Sequence, residues 1–545
     1  MRRKKLTVRS YMGRHRGRVI LWLAVTAALG FFAPLKSFIL QWIIDSTGAQ
    51  QALRYLLLGV VITLVSHALE ALSRVLYTRI ACGAMDFIRS AMMKSILARP
   101  MEQAEREGDA GYLSLMTADM RALYDEYFTP LFNIAFWGAI LLWAMGMYLY
   151  VSPILLVVVA VMSVPPLIVP KLLNSWLSRE REAFSGEMAR YTQRIKEILA
   201  GHETIRAFRR EEQYEALHAR SSRENARGEQ RVQQGVNATI VSSSLLSNMT
   251  FIIILFFGMT QVFSGRITIG YMVTASQLAN FIIGPCQTIS QNYARLRATK
   301  GIRTRIEALM NALREQESGA EKIAPVHELV CEDVRFTYPG SETPVLRGVS
   351  FDLRGNEKAA FVGQSGCGKS TLAKLLYQYY PGYEGSIRVD GTELSAISRG
   401  ALYGQVGYIS QKTFLFNDTI RNNICLYERF TDGQMKEAVR VSGLEDYIGT
   451  LPEGLDTCIS ENGRNLSGGQ SQRIGIARAA IRGYRVILAD EITASLDERT
   501  TEQVMDHLLS LDAMVIAITH DTQGSFMKRF DKVYRMEEGQ ARLDA

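Results

Sequence analysis

Cysteine is scarce in this chain of 545 residues, and no two of the six, Cys82, Cys286, Cys331, Cys367, Cys425 and Cys458, form a C-x-x-C pair. Neither a disulfide framework nor a zinc ribbon is indicated, and the six read as reduced thiols. Charged residues make up only 21%, and the 13 prolines and 43 glycines follow no period. A disordered polyelectrolyte and a collagen-like polymer are thereby excluded. The chain also lacks any long apolar run after residue 292. Its mean hydropathy of +0.02 is therefore an average over two unlike halves. At this length several units are expected rather than one domain.

What is present begins with six apolar stretches, 19–44, 53–77, 130–150, 154–173, 239–263 and 267–289. Each has the roughly 20 residues that cross a hydrocarbon core of about 30 Å. Pro165, Pro166 and Pro170 predict a kink in the fourth. The basic segment 1–18 and the apolar run behind it fit a first membrane helix better than a secretory leader, because no small-residue cleavage site closes the run. Lys and Arg number eight in 1–18, six in 79–129 and thirteen in 171–231, against none in 45–52, none in 148–153 and one in 263–270. The positive-inside rule then predicts cytoplasmic termini and two long, helically patterned cytoplasmic segments. The net charge of +8 could signal nucleic-acid binding, but the excess lies beside the spans, where topology and anionic lipid head groups explain it. No nucleic-acid partner is expected. The boundaries read as a membrane domain over 1–314, a polar linker over 315–325 and a soluble domain over 326–545.

In the soluble part, the apolar run Ala359 to Val362 leads into Gly363-Gln364-Ser365-Gly366-Cys367-Gly368-Lys369-Ser370-Thr371 and then a helical pattern. Strand, glycine loop and helix are the context of a P-loop. Its backbone amides cradle phosphates, Lys369 reaches the β and γ phosphates of ATP, and Ser370 offers its hydroxyl to Mg²⁺. Cys367 reads as a small residue that fits the loop. A second apolar strand ends in Asp490 and Glu491. In an open α/β sheet such acids lie where ligands bind, so Asp490 is placed on Mg²⁺ and Glu491 on the attacking water as general base. Between them, Ser467, Gly468, Gly469 and Gln470 open a helix, with Ser467 as its cap and glycines that let amides approach an anion.

These motifs, in this order, resemble the ATP-binding cassette (ABC) transporter family, in which the second glycine signature closes over nucleotide held by the P-loop of another copy. The resemblance covers nearly the whole chain. It implies that Tyr338 stacks on adenine, that Gln411 is the Q-loop glutamine touching Mg²⁺, that Ser495-Leu496-Asp497 is the D-loop and that His520 is the switch histidine at the γ phosphate. Residues 197–212 are similar to the family's second intracellular loop, with coupling helices implied over 208–214 and 100–108. Glu461 matches the acid before the signature. Ser460 and Asp521 depart from the pattern, standing where glycine and arginine are usual.

The implied architecture is a six-helix membrane domain with long intracellular helical extensions, followed by an α/β P-loop ATPase domain, in an exporter-type half-transporter of a bacterial inner membrane. It implies pairing with a second half-transporter, identical or sister, around two ATP molecules, and ATP hydrolysis driving alternating access. Export of an amphipathic small molecule, lipid or peptide is the expected activity. Alternatives are an importer on the same fold, as for siderophores, an ATP-gated channel, and a soluble cassette ATPase, which the spans exclude. Nothing suggests a leader-peptidase module. Polar residues inside spans are costly and mark cavities or partners. Here they are Lys36, Gln41, His67, Glu70, Arg74, Ser242, Ser243, Ser244 and Asn248, with Glu70 and Arg74 spaced to pair along one helix. Phe132, Phe136, Trp137 and Trp143 read as packing or lipid-facing aromatics.

Overall fold

A computed structural model describes residues 6–544 apart from 103–110, 313–322, 461–462, 464, 494–495 and 521–524, and omits several side chains between 166 and 174. Glu461, Ser495, Asp521, most of the expected linker and most of the expected coupling segment 100–108 lie outside the described residues. The chain divides into two compact units, Met1–Leu97 with Asp109–Asn311 and Ala98–Gly108 with Ala312–Ala545.

The first unit is helical. Its main helices are α1 (Ser10–Arg14), α2 (Arg16–Leu35), α3 (Ser37–Ile44), α4 (Ala49–Leu97), α5 (Thr129–Val151), α6 (Pro153–Met162), α7 (Val164–Ala200), α8 (His202–Ala207), α9 (Glu211–Phe263), α10 (Ile269–Ala298) and α11 (Lys300–Asn311), and α5 continues the shorter helical pieces Leu115–Asp119, Met120–Leu123 and Tyr124–Phe128. Helices occupy all six expected stretches, but among the described residues four helical segments are long and apolar enough to cross a membrane on that basis alone: Arg16–Ile44, Ala49–Leu97, Gly111–Val151 and Glu211–Phe263. The fourth stretch is split at Ser163 into α6 and α7, with prolines in the first turn of α7. Proline is tolerated there because the first N–H groups of a helix have no intrahelical partner. The break at Ser163 therefore falls just ahead of Pro165 and Pro166, and Pro170 lies within α7. The sixth stretch, α10, carries Thr274, Ser276 and Asn292 on its buried side.

Small and polar residues let these helices pack closely. A Cβ on Gly30 of α2 would lie 2.8 Å from the Ala139 carbonyl oxygen of α5, so only glycine allows that approach. Thr26 and Ser73 hydroxyls meet at 2.9 Å, and Gln41 accepts from Thr274 at 3.2 Å. Trp22, Tyr77, Phe132 and Phe136 form a continuous aromatic cluster, which places Phe132 and Phe136 in the core. Glu70 and Arg74 pair at 2.8 Å, as their spacing predicts. Between α7 and α9 the short helix is His202–Ala207, followed by a reversal in which Arg209 takes φ +52° and Phe208 stays exposed. The helical piece thus precedes the expected 208–214 segment, whose end already belongs to α9.

The second unit is α/β. Strands β1 (Glu328–Phe336), β2 (Leu346–Arg354), β4 (Glu384–Val389) and β5 (Thr392–Glu393) form an antiparallel sheet in the order β2-β1-β4-β5. The larger sheet runs β10-β9-β3-β8-β7-β6, from β3 (Lys358–Val362), β6 (Val406–Ile409), β7 (Val486–Asp490), β8 (Met514–Thr519), β9 (Lys532–Glu537) and β10 (Gln540–Asp544). All its pairs are parallel except β9 with β10. Every residue of β3, β7 and β8 is buried, which explains why their sequences are apolar apart from Lys358, Asp490 and Thr519 at their ends. Phe361 is level with Ile518, and Ile518 with Asp490, so the carboxyl ends of β3, β8 and β7 finish side by side. In open parallel sheets ligands bind at that edge.

Candidate functional site

Three adjacent strand ends supply the site. After β3 the chain turns through Gly363–Gly368 into α12 (Lys369–Leu376), with Gly366 at φ +84° and Gly368 at φ +104°. A Cβ on Gly363 would lie 2.3 Å from the Met536 carbonyl oxygen, so the loop can leave the sheet here only as glycine. Lys369 is buried, and its ammonium donates to the Gly363 and Gln364 carbonyls at 2.7 and 2.9 Å. Gln364, Ser365 and Cys367 complete the loop, and Cys367 Sγ lies 3.8 Å from Lys369 Nζ. The Ser370 hydroxyl donates to Asp490 Oδ1 at 2.8 Å. Thr371 Oγ1 meets the Tyr338 hydroxyl at 2.8 Å, and the Tyr338 ring stands edge-on to Phe336 and Tyr380.

At the end of β7, Glu491 takes φ +51°, a left-handed conformation that costs a non-glycine residue energy and clusters at functional positions. Its two oxygens are held separately. Oε2 accepts from Gln411 Nε2 at 2.6 Å, and Oε1 lies 2.6 Å from His520 Nε2. The other His520 nitrogen is 2.9 Å from the Gly363 carbonyl. Gln411, Glu491, His520 and the P-loop are thus one connected group. Gln411 joins this group through its Nε2, which donates to Glu491.

Burial pushes the Asp490 carboxyl above the usual carboxylate range; the Ser370 and Tyr408 hydroxyls oppose that shift, and the adjacent Glu491 charge adds to it. Tyr408 was not legible in the sequence as a site residue. It sits on β6, and its hydroxyl donates to Asp490 Oδ2 at 2.9 Å. Burial and the Asp490 charge push this phenol up, so it remains a donor. The only signal was a phenol inside a short buried strand three residues before Gln411.

The second glycine motif opens α13 (Gly468–Arg482). Ser467 caps it reciprocally with Gln470: Ser467 Oγ accepts from the Gln470 amide at 3.2 Å, and Gln470 Oε1 from the Ser467 amide at 2.8 Å. The first-turn amides of Gly468 and Gly469 lie at the positive end of a fifteen-residue helix. Gln472, one turn on, donates to the Gln411 carbonyl at 3.3 Å and ties this helix to the Gln411 segment. Arg478 donates to the Phe414 carbonyl and the Asn423 side chain, and burial lowers its pKa to about 10. Asn423, fully buried, in turn accepts from the Phe416 amide. These bonds hold the exposed Phe414 and Phe416 rings against each other, 5.1 Å apart.

Residues 346–494 match the ABC transporter family model, and residues 19–286 match the ABC transporter transmembrane region. The chain belongs to the ABC transporter family. It joins a helical transmembrane region to an ATP-binding region in one chain, and it is an ATPase whose activity is coupled to transport across a membrane. The ATP-dependent lipid A-core flippase of Photobacterium profundum is 28% identical over 465 residues, which is 83% of this chain and 78% of that one. The flippase of the same name from Dechloromonas aromatica is 32% identical over 403 residues, 72% of this chain and 66% of that one. A solved bacterial Atm1-family ABC exporter with ATP bound superposes with a TM-score of 0.78 at 22% identity, covering 97% and 95% of the two chains, and shows that the fold is shared.

Proposed function

We propose that this ABC transporter exports a lipid-like amphiphile from the cytoplasmic side of a bacterial inner membrane, working as a pair of half-transporters. The observation that carries the ATPase part is the single cluster of Lys369, Ser370, Asp490, Glu491, Gln411 and His520 at one sheet edge. In this reading Gly363–Gly368 and Lys369 bind the phosphates, and Tyr338 lies against the adenine. The Ser370 hydroxyl and the Asp490 carboxylate are hard oxygen donors 2.8 Å apart, a pair suited to Mg²⁺, which keeps water and substrate phosphates among its ligands. When bound there, Mg²⁺ supplies charge neutralisation at the phosphates. Glu491 takes the proton of the attacking water, oriented by Gln411, and His520 meets the γ phosphate. Ser467, Gly468, Gly469 and Gln470 face the nucleotide of the partner copy. ATP drives the cycle because it binds the closed pair better than the open one.

The lipid reading is supported by the flippases named above and by a cavity of about 540 Å³ in the membrane unit. It is lined chiefly by rings, among them Phe31, Phe38, Trp42, Trp143 and Tyr271, with Gln41 and no charged residue. That size and chemistry suit an apolar ligand with few polar groups. The basic flanks support a cytoplasmic position for both termini and the ATPase domain. Basal ATPase of the full chain in nanodiscs should rise severalfold on addition of lipid A and stay flat with phosphatidylcholine. No response to either lipid would remove the lipid class from this reading while leaving the ATPase intact.

A further inference from the structure

Both oxygens of Asp490 are engaged, and only one of them by the P-loop. Oδ1 accepts from Ser370, while Oδ2 accepts from the Tyr408 phenol at 2.9 Å. Tyr408 stands on β6 level with Leu488 of β7, two residues before the acid, so strand pairing fixes where its ring starts. The ring is fixed from the other side as well. It stacks on Tyr377 at the end of α12, centroids 5.3 Å apart and planes 27° apart. Tyr377 stacks in turn on Tyr403 at 4.5 Å and 17°. A phenylalanine would pack in this stack equally well. A hydroxyl out of water is costly unless bonded, so its value here lies in the bond to Asp490.

We propose that Tyr408 is a positioning residue for Asp490: its phenol holds one carboxylate oxygen and thereby turns the other toward Ser370 and the divalent cation that accompanies ATP. The proposal rests on the reading that Asp490 serves that cation. With the phenol in place the carboxylate is presented in one orientation; without it, the group can rotate and re-pair with Ser370 or water. Partners that orient a metal-binding carboxylate typically contribute about 10- to 100-fold in metal affinity.

The test uses the full-length protein in nanodiscs with Mn²⁺ and a non-hydrolysable ATP analogue, reading Mn²⁺ binding by electron paramagnetic resonance. Tyr408→Phe should weaken Mn²⁺ about tenfold and raise the Mg²⁺ needed for half-maximal ATPase to match. Analogue binding in EDTA and the thermal midpoint should stay at the wild-type values. Tyr403→Phe, which removes a phenol from the same stack but not from Asp490, should change neither metal readout. Equal losses in the two variants would overturn the proposal in favour of packing alone. Unchanged Mn²⁺ binding in Tyr408→Phe, with binding lost in Asp490→Asn, would overturn it and leave the role of Asp490 standing. Unchanged binding in Asp490→Asn as well would remove both.

Discussion

Glu491→Gln should lower steady-state ATPase by about 10²- to 10⁴-fold, the usual worth of a positioned general base, while ATP binding persists. The substitution keeps the side chain's size and one oxygen to accept from Gln411, whose bond to Glu491 is 2.6 Å. It removes the negative charge facing His520 and the ability to take a proton. The left-handed φ of +51° is kept too, since Gln and Glu meet the same backbone cost there. The expected product is a protein that binds ATP and stalls before hydrolysis. Nucleotide trapping with labelled ATP separates this from simple unfolding: the variant should retain unhydrolysed ATP where the wild type releases ADP. A variant that turned over at the wild-type rate would show that another group deprotonates the water.

Lys369→Ala should act earlier and weaken nucleotide binding itself. The ammonium is buried, and it already spans the loop through the Gly363 and Gln364 carbonyls. Its loss takes away the loop's fixed positive charge and two bonds that hold the loop's shape. A hydrogen bond from a charged group is worth about 1.5–3 kcal/mol, so losing one such bond from Lys369 to the phosphates should lower ATP affinity by about 10- to 10²-fold. Equilibrium binding of a fluorescent ATP analogue checks this. Affinity within twofold of wild type would mean that the backbone amides of Gly363–Gly368 suffice. The two variants thus divide the cycle, one failing at binding and the other at chemistry.

The parts of the site that are legible in sequence are those in which a local motif carries its own geometry. Gly363 to Thr371 declares strand, loop and helix because the glycines have specific backbone tasks, as the 2.3 Å approach at Gly363 shows. Ser467 and Gln470 likewise announce a capped helix. Tyr408 was not legible, because its role depends on the pairing of β6 with β7, which joins residues about 80 apart in the chain. The bond from Gln411 to Glu491 was not legible either, since it joins residues 80 apart in the chain. In the membrane unit the apolar runs located helices at all six stretches. The split at Ser163 and the polar inner side of α10 arise from tertiary packing that hydropathy does not register. The short helix ahead of Phe208 depends on where the backbone reverses at Arg209, and a charged sequence does not reveal this.

The most direct test of ATP-driven export is transport in inside-out membrane vesicles, where the ATPase domain faces the medium. With fluorescent lipid A supplied outside, ATP should drive its movement to the luminal side in wild-type vesicles, and Glu491→Gln and Lys369→Ala vesicles should show only the ATP-independent background. ATP-dependent movement in the opposite direction, or equal movement in all three, would contradict export coupled to this site.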